Sequence, residues 1–172
     1  MKKKAIIISI RGVKLTNKEK LLISKEKPWG LILFRRNIKS YNQIKDLIKN
    51  IRKKAKDKKF PILVDEEGSS VSRLSEVINH NISANFFGNL YEINNKIGIT
   101  IYKNYLNYLC KILEDLGINI NTIPVLDVLR NNTNNIIGRR SFSTNKEIVK
   151  KLGKITVEHC LSQNIISVIK HV

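Results

Sequence analysis

The residues able to do chemistry gather at the ends of apolar runs. FPILV, Phe60 to Val64, is followed by DEEGSSVSRL, which supplies Asp65, Glu66, Glu67 and Arg73. INTIPVLDV, Ile120 to Val128, leads through the polar loop NNTNN, Asn131 to Asn135, to GRRSF with Arg139 and Arg140. IISVIKHV, Ile165 to Val172, carries Lys170 and His171 at its far end. Together these are a carboxylate, guanidiniums, an ammonium and an imidazole. That set suits a ligand rich in hydroxyls: carboxylates accept from sugar hydroxyls, while Arg and Lys donate to hydroxyl and carbonyl oxygens.

Each residue also has a purely structural reading. Asp65 at a strand end is placed to cap a turn. Arg73 and Arg140 are placed to pair with carboxylates across a rim. Glu66 and Glu67 look like the paired acids of glycosidic chemistry, but adjacent strand residues point to opposite faces, so they do not flank one bond. Asp127, read as buried in an apolar strand, is expected to fix the rim rather than react. His80 has no partner in sequence and reads as a loop residue. His159 lies within a helical pattern and reads as a satisfied face residue.

The elements that must position these residues follow from hydrophobic pattern. AIIISI (Ala5–Ile10), GLILF (Gly30–Phe34) and the three runs above are continuous rather than alternating, as in strands buried on both faces of a parallel sheet. Helix signals lie between them. Ser40 precedes Tyr41–Lys56, where Ile44, Leu47, Ile48 and Ile51 form one stripe. Leu90–Leu116 carries Ile97, Ile101, Tyr105, Tyr108, Ile112 and Leu116, with Gly117 as a stop. Thr144 and Glu147 form a capping box that opens a helix with Ile148, Leu152 and Ile155 on one face. The alternation predicts an α/β fold, and in such a sheet sites form at the carboxyl ends of the strands.

A chain of 172 residues is enough for one domain with a core. The apolar stretch at the start, Ala5–Ile10, is shorter than a signal-peptide core of about 7–15 residues, and no run approaches the ~20 residues that span a bilayer. The expectation is a cytoplasmic protein with no membrane partner. The two cysteines, Cys110 and Cys160, lie far apart without C-x-x-C spacing and read as buried thiols. The net charge of +18 comes mostly from lysine, 24 of the 32 basic residues. Lys, Asn and Ile are all abundant and share A/T-rich codons. The basic run Lys49–Lys59 lacks interleaved aromatics and reads as a solvated face. No specific nucleic-acid motif is present, although weak, salt-sensitive attraction to polyanions follows from the charge.

Taken in order, GLILFRRN, VDEEGSSVSRL, INTIPVLDV, IIGRRSF and the closing IKHV resemble glycoside hydrolase family 3, in its bacterial β-N-acetylhexosaminidase branch of peptidoglycan recycling. VDEEGSSVSRL is similar to the family's V-D-x-E-G-G-x-V-x-R-L, and IKHV to the start of K-H-F-P-G-H-G. Ser69 stands where the motif has glycine, and Arg139 where another residue is common. The resemblance runs from Gly30, or from Ala5, to the end.

The resemblance implies an N-terminal portion of a (β/α)8 TIM-type barrel. Such a barrel takes about 250 residues, and this chain supplies about five strands of it. Residues 1–172 are then an incomplete catalytic barrel domain. By the same resemblance, Asp65, Arg73, Arg140, Lys170 and His171 match positions that hold the N-acetylglucosamine unit of a saccharide substrate. The family retains anomeric configuration, using an aspartate nucleophile late in the barrel and a histidine acid/base on the loop after the K-H pair. Neither lies in this chain, so no catalytic residue is expected in it and activity alone is not expected. No metal or organic cofactor is implied. The chain then reads as a truncated or frameshifted product, or as one piece of a split gene. Its first and fifth strands would be edges open to self-association or to a missing C-terminal half. The alternatives are a fragment of a family 3 β-glucosidase and a weak sugar-binding remnant.

Overall fold

The computed structural model describes residues 3–171, so Val172 of the last apolar run lies outside the described residues. Five strands are connected by helices: β1 (Lys4–Ile8), α1 (Asn17–Glu26), β2 (Pro28–Leu33), α2 (Tyr41–Ala55), β3 (Ile62–Val64), α3 (Ala84–Ile93), α4 (Asn95–Leu116), β4 (Ile120–Asn121), α5 (Lys146–Ser162) and β5 (Ile166–Ser167). The sheet runs β1-β2-β3-β4-β5 and every neighbouring pair is parallel. In register, Leu33 faces Val64, Val64 faces Asn121, and Asn121 faces Ser167. All strands therefore point the same way, and the segments leaving β3, β4 and β5 emerge at one end of the sheet.

The α/β alternation is as the sequence predicts and each of the five apolar runs contains a strand, but the edge strands β1 and β5 are not buried on both faces, since Ile6, Ile7 and Ile166 are exposed, and several boundaries move. The run Ile120–Val128 is not one strand. Its ladder ends at Asn121, Pro124 has no N–H to contribute, and pairing resumes only as a single bridge between Val125 and Lys170. Leu90–Leu116 is two helices, because the Asn94 side chain accepts the Ile97 N–H at 3.1 Å and starts a new one. The buried face of α4 is Tyr102, Leu106, Leu109, Cys110, Leu113 and Leu116, whereas Ile97, Ile101 and Tyr108 of the expected stripe are exposed. The cap of α5 is Asn145, not Thr144: its side chain accepts the Glu147 N–H at 2.9 Å. Helix α1 carries no stripe to betray it, since only Ile23 is buried and Leu21 and Leu22 are exposed. A capping box between Thr16 and Glu19 marks its start.

The other helix expectations hold. Ser40 accepts the Gln43 N–H, Ile44, Leu47, Ile48 and Ile51 are all buried, and Gly117 closes α4 in the left-handed region at φ 84°. These stripes meet Leu31, Leu33, Ile62 and Val64 of the sheet in one core cluster. Lysines 49, 53, 54, 56, 58 and 59 are exposed, a solvated face. Cys110 and Cys160 are buried thiols whose sulfurs lie 3.7 Å apart across α4 and α5. Among the described residues, no helix is long and apolar enough to cross a membrane.

Helix α3 presses on the segment after Arg140. A Cβ added at Gly88 would stand 1.7 Å from the Phe142 carbonyl oxygen. Gly88→Ala is therefore expected to destabilise the fold by about 1–3 kcal/mol despite alanine's better helix propensity. The urea midpoint measures this; a midpoint equal to that of the parent protein would show that α3 is free to slide.

Candidate active site

The sheet sends three polar segments to one rim. Asp65 is the first residue after β3, Thr122 the first after β4, and Lys170 lies beyond β5. Asp65 Oδ1 accepts a short hydrogen bond from the Thr122 hydroxyl and a longer one, 3.4 Å, from Lys170 Nζ. Lys170 also donates to Thr122 Oγ1 at 2.7 Å and pairs with Glu67 Oε1 at 2.5 Å. Arg140 grips Glu67 with a two-pronged pair, Nε to Oε2 at 2.7 Å and a terminal nitrogen to Oε1 at 3.0 Å. Arg73 reaches Asp65 Oδ2 at 3.6 Å. His171 Nδ1 meets Asp127 Oδ2 at 2.8 Å, leaving Nε2 at 3.5 Å from Arg140.

All five residues singled out from the sequence, Asp65, Arg73, Arg140, Lys170 and His171, thus belong to one connected cluster. Three further members join them: Glu67 and Asp127, which the sequence places near the rim without naming their partners, and Thr122, which it does not mark. Glu67 sits beside Glu66, yet alternation puts the two on opposite sides: Glu67 enters the cluster and Glu66 enters the core. Thr122 gives no signal among apolar neighbours. Asp127 is not buried in a strand; it lies past the end of β4, partly exposed, and orients the His171 ring. Arg139 is exposed and outside these ion pairs.

The loop between β3 and α3 carries Arg73, and its shape rests on Glu66. That carboxylate is fully buried. Its Oε2 accepts from the Ser72 hydroxyl at 3.1 Å and from the N–H groups of Arg73 and Leu74 at 2.9 and 2.8 Å. Asn121, also fully buried, accepts the Glu66 N–H and donates to the Glu66 carbonyl. His80 is not a partnerless loop residue: it is enclosed, with Nε2 3.1 Å from Glu66 Oε1. His159, on a face of α5 as expected, is satisfied by Asn107 of α4 at 2.8 Å. Gly68 has φ 120°, and an added Cβ would stand 2.2 Å from the Ile82 carbonyl oxygen, so the turn demands glycine there. Among the described residues, the left-handed non-glycine positions are Lys27, Lys56 and Asn164; Ser69 sits in ordinary backbone and takes the motif glycine's place without strain.

Charges in the cluster balance. Asp65, Glu67 and Asp127 face Arg73, Arg140 and Lys170, with His171 at the edge. Burial would raise the Asp65 carboxyl, but the Thr122 hydrogen bond and the Lys170 ammonium outweigh it and hold the group below its usual range. Burial likewise opposes ionisation of Asp127, and the two hydrogen bonds from His171 win. The Glu67 hydrogen bond raises the Arg140 guanidinium further. An overall neutral array of fixed donors and acceptors matches an uncharged, hydroxyl-bearing ligand better than a polyanion. Among the described residues, no group of three or more His, Cys, Asp or Glu side chains is arranged to hold a metal ion.

The lowered Asp65 value has a pH consequence. Its ionised form stabilises the fold fully above the ordinary carboxylate range, and that stabilisation is lost as pH falls through the lowered folded-state value. The difference in melting temperature between the parent protein and Asp65→Asn is expected to be widest near pH 7 and to shrink below about pH 4. A difference that stays constant to pH 2 would show that Asp65 is not held ionised by these partners.

Comparison with known proteins gives a consistent picture. Residues 2–172 match the glycosyl hydrolase family 3 N-terminal domain. A β-hexosaminidase A from Pseudoalteromonas piscicida is 34% identical over 161 residues, covering 87% of this chain and 25% of that protein. A β-hexosaminidase from Idiomarina loihiensis is 34% identical over 154 residues, covering 89% and 45%. The crystal structure of native NagZ from Neisseria gonorrhoeae superposes with a TM-score of 0.90 at 28% identity, covering 98% of this chain and 49% of that one. The same protein in complex with N-trifluoroacetyl-D-glucosamine gives 0.88. This chain therefore spans between a quarter and a half of the length of these relatives. Its α/β fold, with a parallel five-stranded sheet, matches the N-terminal barrel domain of NagZ. The motifs and the parallel sheet agree with these matches, and the chain belongs to the glycosyl hydrolase family 3 N-terminal domain family.

Proposed function

We propose that this chain builds the sugar-holding part of a retaining β-N-acetylhexosaminidase barrel, and that Asp65, Arg73, Arg140, Lys170 and His171 hold a terminal N-acetylglucosamine. The observation that carries this reading is the charge-balanced cluster at the carboxyl ends of β3, β4 and β5. Asp65, kept ionised by Thr122 and Lys170, is an acceptor for sugar hydroxyls. Lys170, Arg73 and Arg140 are donors fixed in place before a ligand arrives, which lowers the ordering cost of binding. One related structure holds an N-acylglucosamine derivative, which supports the sugar class.

In this reading the substrate is a peptidoglycan fragment ending in N-acetylglucosamine, and the protein works in the cytoplasm. The reaction retains configuration through a nucleophilic aspartate and a histidine acid/base, both assigned by the family pattern to positions outside residues 1–172. Residues 1–172 then orient the sugar but do not break the bond. Strands β1 and β5 each pair on one side only among the described residues, and Ile6, Ile7 and Ile166 on them are exposed. A second barrel half, or a second copy of the chain, covers these edges.

Two measurements test the reading. Calorimetry is expected to show weak N-acetylglucosamine binding that Asp65→Ala abolishes, with no release of chromophore from an N-acetylglucosaminide by residues 1–172 alone. Equal affinity for glucose, or turnover lost on Asp65→Ala, would overturn it. Light scattering of residues 1–172 is expected to give dimers or larger species; a cooperative monomer would show that the edges need no cover.

A further inference from the structure

The loop from Asp65 to Ser83 contains no helix or strand, yet it carries Arg73 to the rim. The pair it makes there, Arg73 to Asp65 at 3.6 Å with the Arg73 side chain 32% exposed, is long and partly hydrated. Such a pair does not hold a loop in place by itself. The loop must be set from beneath.

Beneath it, the two oxygens of Glu66 divide the work. Oε2 accepts from Ser72 and from the N–H groups of Arg73 and Leu74, which fixes the backbone at Arg73 itself. Oε1 faces His80 Nε2 at 3.1 Å, the one side chain hydrogen-bonded to it among the described residues. Glu66 is 0% exposed and the His80 side chain 6%, so water does not replace either partner. A carboxylate oxygen only accepts, so Nε2 carries the hydrogen. His80 belongs to the returning limb of the loop. That limb is tied to the outgoing one by Ser69 N–H to the Ile82 carbonyl at 3.1 Å, and the His80 ring lies edge-on to Tyr105 of α4, with centroids 5.7 Å apart at 71°.

We infer that His80 is a positioning residue: acting through the buried Glu66 carboxylate, it fixes the loop that sets Arg73 on Asp65. With the His80 donor gone, Oε1 is an enclosed acceptor without a partner. The carboxylate then turns to share the donors of residues 72–74, and the backbone at Arg73 loses its fixed geometry. The consequence for sugar rests on the reading proposed above; the consequence for the loop does not.

The test compares His80→Leu, which removes the donor, with His80→Gln, whose amide nitrogen reaches where Nε2 stands. Both are made in the protein carrying this chain, with Arg73→Ala and the His80→Leu/Arg73→Ala double variant as references. His80→Leu is expected to weaken N-acetylglucosamine binding about tenfold, with no further loss in the double variant, while His80→Gln stays within about threefold of the parent. Additive losses, or parent-like binding by His80→Leu, would overturn the inference. Amide hydrogen exchange separates it from the sugar reading. If the parent binds no sugar, that reading fails alone, and the inference is judged by the Arg73 and Leu74 amides. These are expected to lose protection in His80→Leu and keep it in His80→Gln, with the α4 amides unchanged in both. Unchanged Arg73 and Leu74 protection in His80→Leu would overturn it. Should His80→Leu fail to fold, His80→Asn, too short to reach Oε1, takes its place with the same outcomes.

Discussion

Glu66 places a carboxylate where none of its surface meets water. A charge so enclosed is tolerable only when donors surround it. Four hydrogen-bonding groups do so, from Ser72, Arg73, Leu74 and His80, while Asn121 holds the Glu66 backbone from both its N–H and its carbonyl. The two side chains divide the work, Asn121 acting on the strand ends and Glu66 on the loop. The end of β3 is locked to the end of β4, and the irregular loop after β3 is wound around a fixed point. Alternation along the backbone then turns the next residue, Glu67, the other way, into the rim.

At the rim the governing quantity is charge balance. Lys170 lies between Asp65 and Glu67, and Arg140 closes Glu67 from the other side. Each of these carboxylates has a cation and each cation a carboxylate. Arg140 owes its place to structure behind it. The Ser141 hydroxyl donates to the Asp127 carbonyl at 2.5 Å, and Phe142 lies beneath α3 at Gly88. The same stretch therefore places Arg140 and, through Asp127, the His171 ring. A seam between α4 and α5 supports this side of the sheet. Two of its polar contacts, Tyr102 to Thr156 at 2.7 Å and Cys110 to Cys160 at 3.7 Å, are buried.

Much of this is legible in residue order. Continuous apolar runs mark the strands, although the edge strands β1 and β5 leave Ile6, Ile7 and Ile166 exposed, and the Ile44, Leu47, Ile48, Ile51 stripe marks α2, because burial imposes period on sequence. The polar residues that follow the strands are legible because parallel strands release their succeeding segments at a common end; the choice of Asp65, Arg73, Arg140, Lys170 and His171 among them rests on the family resemblance. Helix α1 is not legible, since it buries one residue and shows only a cap. The burial face of α4 is ambiguous in sequence because apolar residues lie on both its sides, and which side is covered depends on α3 and α5.

Sequence alone determined the α/β alternation, the strand cores and the identity of the polar residues at their ends, since these follow from local period and chain direction. Tertiary structure decided the partnerships: Glu67 with Lys170 and Arg140, Asp127 with His171, Glu66 with His80. The shortest of these spans, Glu66 to His80, is 14 positions, and Glu67 to Arg140 is 73. No local pattern encodes such distances; only the register of adjacent parallel strands and the packing of the helices behind them brings the partners within hydrogen-bond reach.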